Sequence, residues 1–226
     1  MSLVSAALLG LGLGVKHAFE ADHVAAVCAL VARSGTVARA ARSGALWGLG
    51  HGAVIIVAGG ALVMLGLRVP GPLAAALDAA VAVMLVGLGV SALRRAGGGS
   101  ATQAHHETEH ARSHDHGHVH DHDLPGATRR PILIGLLHGA SGTAALTLLV
   151  ASTIPERTEA LAFITLFGLA SIVGMAGAAA LLAWPLRAAA LHAPAIARGL
   201  RGVAGVGSIA AGVMVGWIAL MTSSMN

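Results

Sequence analysis

Long apolar stretches, separated by short segments that contain arginine, dominate the hydrophobic pattern of this 226-residue chain. Four stretches have no Asp, Glu, Lys or Arg over more than 20 residues: 43–67, 131–155, 160–186 and 202–226. A helix of about 20 apolar residues crosses the roughly 30 Å hydrocarbon core of a bilayer, so each stretch is long enough to span it. The pattern predicts an all-α polytopic membrane protein with six membrane-spanning helices, at about 3–32, 43–67, 71–93, 131–152, 159–186 and 202–222.

The composition agrees with a lipid bilayer as the surrounding medium. Hydrophobic residues make up 56% of the chain and charged residues 11%, with a mean hydropathy of +0.79. Soluble domains carry about 25% charged residues, so an ordinary water-soluble globule is excluded. The sequence pI of about 11.0 does not predict a nucleic-acid partner, because the arginines form no basic patch and lie between the apolar stretches. The single cysteine, Cys28, excludes a dithiol carrier.

The arginines predict how the chain is oriented in the membrane. With six spans, eleven arginines fall in connections on one side, and two, Arg68 and Arg157, fall on the other. Basic residues collect on the cytoplasmic side of membrane proteins. The side with eleven arginines, which includes the segment 94–130, is therefore expected to be cytoplasmic. Both termini are expected outside, and the protein is expected in the plasma (inner) membrane of the cell.

The two halves of the chain resemble each other. GVKHA at 14–18 matches GLLHG at 135–139 with an offset of 121 residues, and WGLGH at 47–51 matches FGLAS at 167–171 with an offset of 120. Three spans in each half give the halves opposite orientations, an arrangement found in transporters whose substrate site lies near the membrane midplane. The expected organisation is two inverted three-helix repeats joined by a loop, at 1–93, 131–226 and 94–130 respectively.

Ionisable residues concentrate inside the first predicted span, in KHAFEADH at 16–23. Charged groups at membrane depth are costly and normally face a partner, a cavity or an ion path. Three other predicted spans carry His51, Asp78 and His138. Imidazole and carboxylate groups without sulfur suit borderline divalent metals. The candidate metal ligands are His17, Glu20, Asp22, His23, His51, Asp78 and His138.

Residue counts from the nearest arginine predict the depth of these side chains. At about 1.5 Å per residue, His23, His51 and His138 are expected roughly 12–15 Å into the membrane, and His17 and Asp78 at a second level roughly 24 Å deep. On a regular helix, with about 100° per residue, the ligands of the first motif point in different directions and cannot all face one ion. Either they serve two sites or the first helix is discontinuous. The weak helix formers of the segment GLGLG favour a discontinuous helix.

Structural explanations also exist for the single polar residues. His51 or His138 alone could form a hydrogen bond between helices, and Asp78 could lie near a helix start, where the helix dipole favours it. Packing does not explain the combination of His17, Asp22 and His23, because packing needs no such concentration of charge.

The segment between Arg95 and Arg129 has almost no apolar residues and is expected to be disordered. Short His-rich tracts bind metal ions without a fold, so we expect this loop to bind metal. On the cytoplasmic side it could store the ion, receive it after entry or collect it before export. Its eight histidines are His105, His106, His110, His114, His116, His118, His120 and His122.

These motifs together resemble a known family. HAFEADH is similar to the His-Ala-x-Asp-Ala-Asp-His signature of nickel/cobalt transporters, and the order GVKHAFEADHVAAVCALV, GALWGLGH, RPILIGLLHGASGTAALTLL resembles the UreH-like branch. The resemblance implies uptake of Ni²⁺ or Co²⁺ as transported substrate, with no prosthetic group and no enzymatic activity. It implies that His17, Asp22 and His23 select the metal. It also matches His51 to the Gly-His motif of the second span and His138 to the His-Gly motif of the fourth.

The sequence departs from the family pattern in ways that leave alternatives open. Glu20 replaces a usual aspartate, Asp78 stands where UreH-like sequences have a glutamate, and longer nickel/cobalt permeases have eight spans. The long His-rich loop resembles that of efflux members, so export is the alternative direction. A membrane enzyme or electron-transfer protein could hold haem or metal through His51 and His138. A membrane-anchored metallochaperone would work with urease or hydrogenase maturation proteins.

Overall fold

All regular structure in the described part of the chain is helical. The computed structural model describes residues 1–31, 36–97, 125–141, 147–148 and 150–224. The predicted all-α class is confirmed for these residues. Its elements are α1 (Leu3–His17), α2 (Ala21–Val31), α3 (Val37–Val54), a π-helical turn (Ile55–Gly59), α4 (Gly60–Leu65), α5 (Gly71–Gly97), α6 (Pro125–Gly139), α7 (Arg157–His192) and α8 (Pro194–Ser224).

The number of membrane spans is four or five by the length and apolar character of the described helices. Helices α1 and α2 form a pair bent by 53°, which is a fifth candidate if the pair is one span. Helix α6 has 15 residues, and residues 142–146 and 149 of the span predicted at 131–152 lie outside the described residues. Six spans therefore stay a prediction. The four long candidates are Val37–Leu65, which includes the π-helical turn, Gly71–Gly97, Arg157–His192 and Pro194–Met221.

The predicted interruption of the first span is present, but it lies after the glycines. Helix α1 ends at His17, helix α2 begins at Ala21, and residues 10–14 lie within α1. In the break, the N–H groups of Phe19 and Glu20 each donate to a carbonyl oxygen of the last turn of α1, at 3.0 Å. These bonds satisfy two of the carbonyl groups that the end of α1 leaves without partners within the helix.

Glycines at the helix contacts allow the backbones to approach each other closely. A Cβ at Gly14 of α1 would overlap the carbonyl oxygen of Phe167 in α7, and a Cβ at Gly135 of α6 would overlap that of Trp47 in α3. Glycine contacts also join α3 to α7 and α5 to α8. The hydrophobic effect gives little drive for association between helices in lipid, so close packing of small residues is what holds them together.

Contacts of glycines with successive turns of the neighbouring helices give the helix directions. Helix α3 is antiparallel to α7, and α5 is antiparallel to α8, whereas α1 is parallel to α7 and α6 is parallel to α3. Helices α1 and α6 therefore also run in opposite directions. The contacts are Gly44 with Met175, Gly52 with Gly168, Gly89 with Gly205, Gly212 with Ala82, Gly10 with Phe163, Gly14 with Phe167, Gly135 with Trp47 and Gly139 with His51.

The substitution Gly14→Ala is expected to destabilise the protein, because the added methyl group meets the backbone of Phe167. Overpacking of this kind costs about 1–3 kcal/mol. Gly12→Ala is the matched control on the same helix, where no atom lies within 4 Å of an added Cβ and alanine gains about 0.5–1 kcal/mol. The melting temperature in detergent should fall for Gly14→Ala and not for Gly12→Ala. Equal melting temperatures would contradict the close contact between α1 and α7.

Candidate metal centre

Four buried histidines from four different helices meet at one place. His17 ends α1, His23 lies in the first turn of α2, His51 lies near the end of α3 and His138 near the end of α6. His17 is 4% exposed and the other three are fully buried. The ring centre of His23 lies 4.3 Å from those of His17 and His138 and 5.1 Å from that of His51. The Nε2 atoms of His17 and His51 are 3.1 Å apart.

The break between α1 and α2 brings the ligands of the first motif together. On an unbroken helix, Asp22 and His23 would point away from His17. With the 53° bend, the ring of His23 instead packs edge-on against that of His17. The break also places a helix start at the centre, since Asp22 lies in the first turn of α2, where the helix dipole favours a negative charge.

Two carboxylates hold the imidazole rings in place. Asp22 accepts a hydrogen bond from Nδ1 of His23 at 3.0 Å and one from Nε2 of His138 at 2.9 Å. The Oε2 of Glu20 accepts a hydrogen bond from Nδ1 of His17 at 2.9 Å. Metal-binding histidines usually donate their second ring N–H to a carboxylate in this way, which fixes the orientation and the tautomer of the ring.

These hydrogen bonds leave buried ring nitrogens without a donor. A neutral imidazole has one N–H. His23 and His138 donate theirs to Asp22, so Nε2 of His23 and Nδ1 of His138 keep bare lone pairs. His17 donates to its own carboxylate partner, so its Nε2 accepts from Nε2–H of His51, whose Nδ1 is then bare. These three nitrogens have no hydrogen-bond partner among the described residues. An unpaired buried acceptor costs about 1–3 kcal/mol, which a bound cation would recover.

The ligand atoms form two overlapping groups. The first ligand set is His17, His23 and His51, the second ligand set is Asp22, His23 and His138, and within each set the atoms lie within 4.8 Å of one another. Within the first set, the Nε2 atoms of His17 and His51 are 3.1 Å apart and share one proton, so both could bind an ion only after that proton moves to Nδ1 of His51 or leaves. Nitrogen-rich sets with a carboxylate and no sulfur suit borderline divalent metals.

Most of the predicted ligand residues come together, and two lie outside the ligand sets. Glu20 is linked to the cluster through its hydrogen bond to His17, and Asp78, on α5, belongs to neither set. The predicted second level for His17 is wrong, because the chain bends after this residue and brings it against His51. The eight loop histidines lie outside the described residues. The residues brought together are His17, Asp22, His23, His51 and His138.

Aromatic side chains that the sequence did not single out enclose the cluster. Trp47 is fully buried, with its ring centre 5.4 Å from that of His23. The ring centre of Phe167 lies 5.2 Å from that of His17. Both residues could have been found from their spacing in the sequence. Trp47 precedes His51 by four residues and therefore shares its helix face, and Phe167 is the counterpart of Trp47 at the repeat offset of 120.

A pocket reaches the first ligand set from the protein surface. His17 and Glu20 line it, and the side chain of Glu20 is 36% exposed. Of the second ligand set, none of the three residues lines this pocket. Among the ligand residues, the pocket therefore exposes only His17, beside the carboxylate of Glu20. The remaining lining residues are Leu13, Lys16, Thr147, Val150, Phe163 and Phe167.

The sequence is similar to that of a urease accessory protein, UreH of Bacillus sp. (strain TB-90). The two are 31% identical over 186 residues, which make up 82% of this chain and 79% of that protein. No family model matches the chain, and no solved structure matches it. The all-helical fold with several apolar helices is that of an integral membrane protein. The likeness to UreH, which extends over most of both sequences, shows its family. The chain belongs to the nickel/cobalt transporter family, in its UreH-like branch.

Glu20→Gln is expected to weaken binding of Co²⁺ by about 10- to 100-fold, because the neutral amide is a poorer acceptor for the N–H of His17. Binding is measured on the purified protein and on His23→Ala. The difference between the two is the binding at the buried centre, without that of the loop histidines. Glu156→Gln is the control, since Glu156 is an exposed glutamate at the start of α7. Equal affinities for Glu20→Gln and Glu156→Gln would show that Glu20 does not position His17.

Proposed function

We propose that this protein is a secondary transporter that carries a divalent transition metal ion, nickel with cobalt as the second candidate, into the cell. One observation carries the proposal. Four buried histidines, three of them hydrogen-bonded to two carboxylates, have three ring nitrogens without a partner at the break of a bent helix pair. The ion is the transported substrate, and the proposal requires no prosthetic group.

The chemistry of the ligands favours a borderline divalent metal over softer and harder ions. Both ligand sets are built from imidazole nitrogens, with one carboxylate in the second. Cu(I) prefers sulfur ligands, and Ca²⁺ and Mg²⁺ prefer oxygen. Nickel and cobalt, the cargo of the family, lie in the favoured range. The name of the Bacillus relative links it to urease, so we propose urease or hydrogenase maturation proteins as partners that receive the ion.

The helix directions support the inverted repeat. The helices that correspond through the two sequence offsets run in opposite directions, α1 to α6 and α3 to α7, and so do the third helices of the two halves, α5 and α8. The contact of Gly14 with Phe167 has its counterpart in that of Gly135 with Trp47, because the same offsets relate both partners. We therefore propose that the chain forms two inverted three-helix repeats around loop 94–130, with the cluster at their interface, where such transporters hold their substrate.

The membrane potential favours uptake as the direction. The sequence contains no GxxxxGK[ST] run for nucleotide binding, so the energy comes from the membrane potential, an ion gradient or a separate subunit. An inside-negative potential favours entry by about 2.3 kcal/mol per charge per 100 mV. The arginine asymmetry supports a cytoplasmic position for the His-rich loop, where during uptake it would receive the ion after entry. Export is the alternative, in which the loop collects the ion and a counter-ion such as H⁺ is exchanged.

The arrangement of the rings argues against a haem protein. Two axial histidines hold haem iron from opposite faces of the macrocycle. The ring centres of His51 and His138 are 6.0 Å apart, but the ring of His23 lies 5.1 Å from the first and 4.3 Å from the second, in the space that a macrocycle between them would need. No macrocycle fits between rings that are packed together in this way.

Flux into proteoliposomes with known protein orientation tests the proposal. The unaltered protein should move Ni²⁺ and Co²⁺ faster than Zn²⁺ and Mn²⁺. His17→Ala, Asp22→Asn and His23→Ala should each lower the flux at least tenfold, because each removes a ligand or the carboxylate that orients two rings. His192→Ala is the matched control, since His192 is exposed at the end of α7. Flux near the unaltered level in all three site variants would refute the assignment.

Deletion of residues 104–123 separates the transporter from the metallochaperone. A transporter should keep its flux, with a changed rate or affinity, because its buried centre is independent of the loop. A metallochaperone needs the loop, and its membrane-spanning helices carry no flux even when it is intact. The measurement is Ni²⁺ flux in proteoliposomes that contain equal amounts of the two proteins. Complete loss of flux on deletion would contradict a centre that acts without the loop.

A further inference from the structure

A lysine lines the pocket that reaches the clustered histidines. Lys16 is exposed there, one residue before His17. Among the residues that the structure describes, its side chain forms no ion pair. The carboxylate of Glu20 lines the same pocket and is hydrogen-bonded to His17 instead. A positive charge inside a predicted membrane span, beside a site for cations, is costly unless it balances other charges.

The charged side chains around the histidines have a simple total. Three of them either line the pocket or form a hydrogen bond to a clustered histidine, namely Lys16, Glu20 and Asp22. One ammonium group and two carboxylates leave a formal charge of −1. A bound divalent ion changes this total to +1. The empty and the loaded centre therefore carry charges of equal size and opposite sign.

The size of the charge matters when the pocket closes. In a transporter with alternating access, the site is enclosed before it opens to the other side. Much of the pocket lining is apolar, including Leu13, Phe163 and Phe167. The cost of enclosing a net charge in apolar surroundings rises with the square of the charge, so the two forms cost equally. Without Lys16 the totals would be −2 and 0, and about four times the cost would fall on the empty form alone.

We infer that Lys16 is the counter-charge that lets the empty transporter return. The inference rests on the proposed transport function and names a residue that acts on one half of its cycle. In uptake the loaded centre passes inward and the empty centre passes back. Lys16 keeps the charge at one unit in both passages. It does not bind the metal, because an ammonium group has no lone pair.

Two kinds of Ni²⁺ flux in proteoliposomes separate the two passages. Net uptake into vesicles without internal nickel requires the return of the empty centre. Exchange of radioactive Ni²⁺ outside for unlabelled Ni²⁺ inside requires the loaded centre alone. At saturating Ni²⁺, equal pH and zero membrane potential, Lys16→Gln should lower net uptake by about tenfold or more and keep exchange within about twofold of that of the unaltered protein.

Three further variants test whether the charge of Lys16 is what matters. Arg68→Gln is the matched control, because it removes the same charge from an exposed residue outside the pocket lining. It should leave both kinds of flux unchanged. Lys16→Arg keeps the charge and should keep net uptake. The double variant of Lys16→Gln with Glu20→Gln restores the totals of −1 and +1, so its net uptake should exceed that of Lys16→Gln.

Several outcomes would overturn the inference. Equal losses of net uptake and exchange in Lys16→Gln would mean a structural or binding role, and undiminished net uptake would mean no role. Loss of net uptake in Lys16→Arg, or no recovery in the double variant, would show that the charge is not what Lys16 supplies. Lys16→Met replaces Lys16→Gln if that variant has no cooperative melting transition. If the unaltered protein moves Ni²⁺ in neither experiment, the proposed function itself fails, and the inference fails with it.

Discussion

Buried ring nitrogens that need partners govern the centre of this protein. An apolar interior offers no water, so every polar group there has to be satisfied by the protein or by a ligand. Asp22 takes one N–H from each of two rings and Glu20 takes one from His17. Acceptors on His23, His51 and His138 are left over. We propose a divalent cation as the partner of these lone pairs, with the two carboxylates nearby to offset its charge.

The glycines beside the histidines follow from the same requirement. Imidazoles on separate helices reach one another only when the backbones are closer than ordinary side chains permit. His138 is followed by Gly139, where a Cβ would come within 2.6 Å of the carbonyl oxygen of His51. His51 lies between Gly50, which packs on α6, and Gly52, which packs on α7. The Gly-His-Gly and His-Gly motifs thus combine a clustered histidine with the close backbone approach that the cluster needs.

Hydropathy and charge predicted much of the fold and the site, and they failed where the chain bends. The apolar stretches located the long helices, and charge at membrane depth singled out the five clustered residues. The depth predicted for His17 was wrong, because a residue count assumes a straight helix. The glycines of α1 stay helical, since their contacts with α7 stabilise the helix that their propensity weakens. The packing of Trp47 against His138 could not be predicted, because it depends on contact between α3 and α6, two helices that are far apart in sequence.

Glu20 shows how one departure from the family signature can act on the metal. It follows His17 by three residues, across the end of α1, and its carboxylate still reaches Nδ1 of that ring at 2.9 Å. An aspartate at this position is one methylene shorter, so the same hydrogen bond would require the break to tighten. The bond orients the ring of His17, and Nε2 of that ring in turn contacts Nε2 of His51 at 3.1 Å. Side-chain length at position 20 therefore acts on the arrangement of both rings, through a residue that belongs to neither ligand set.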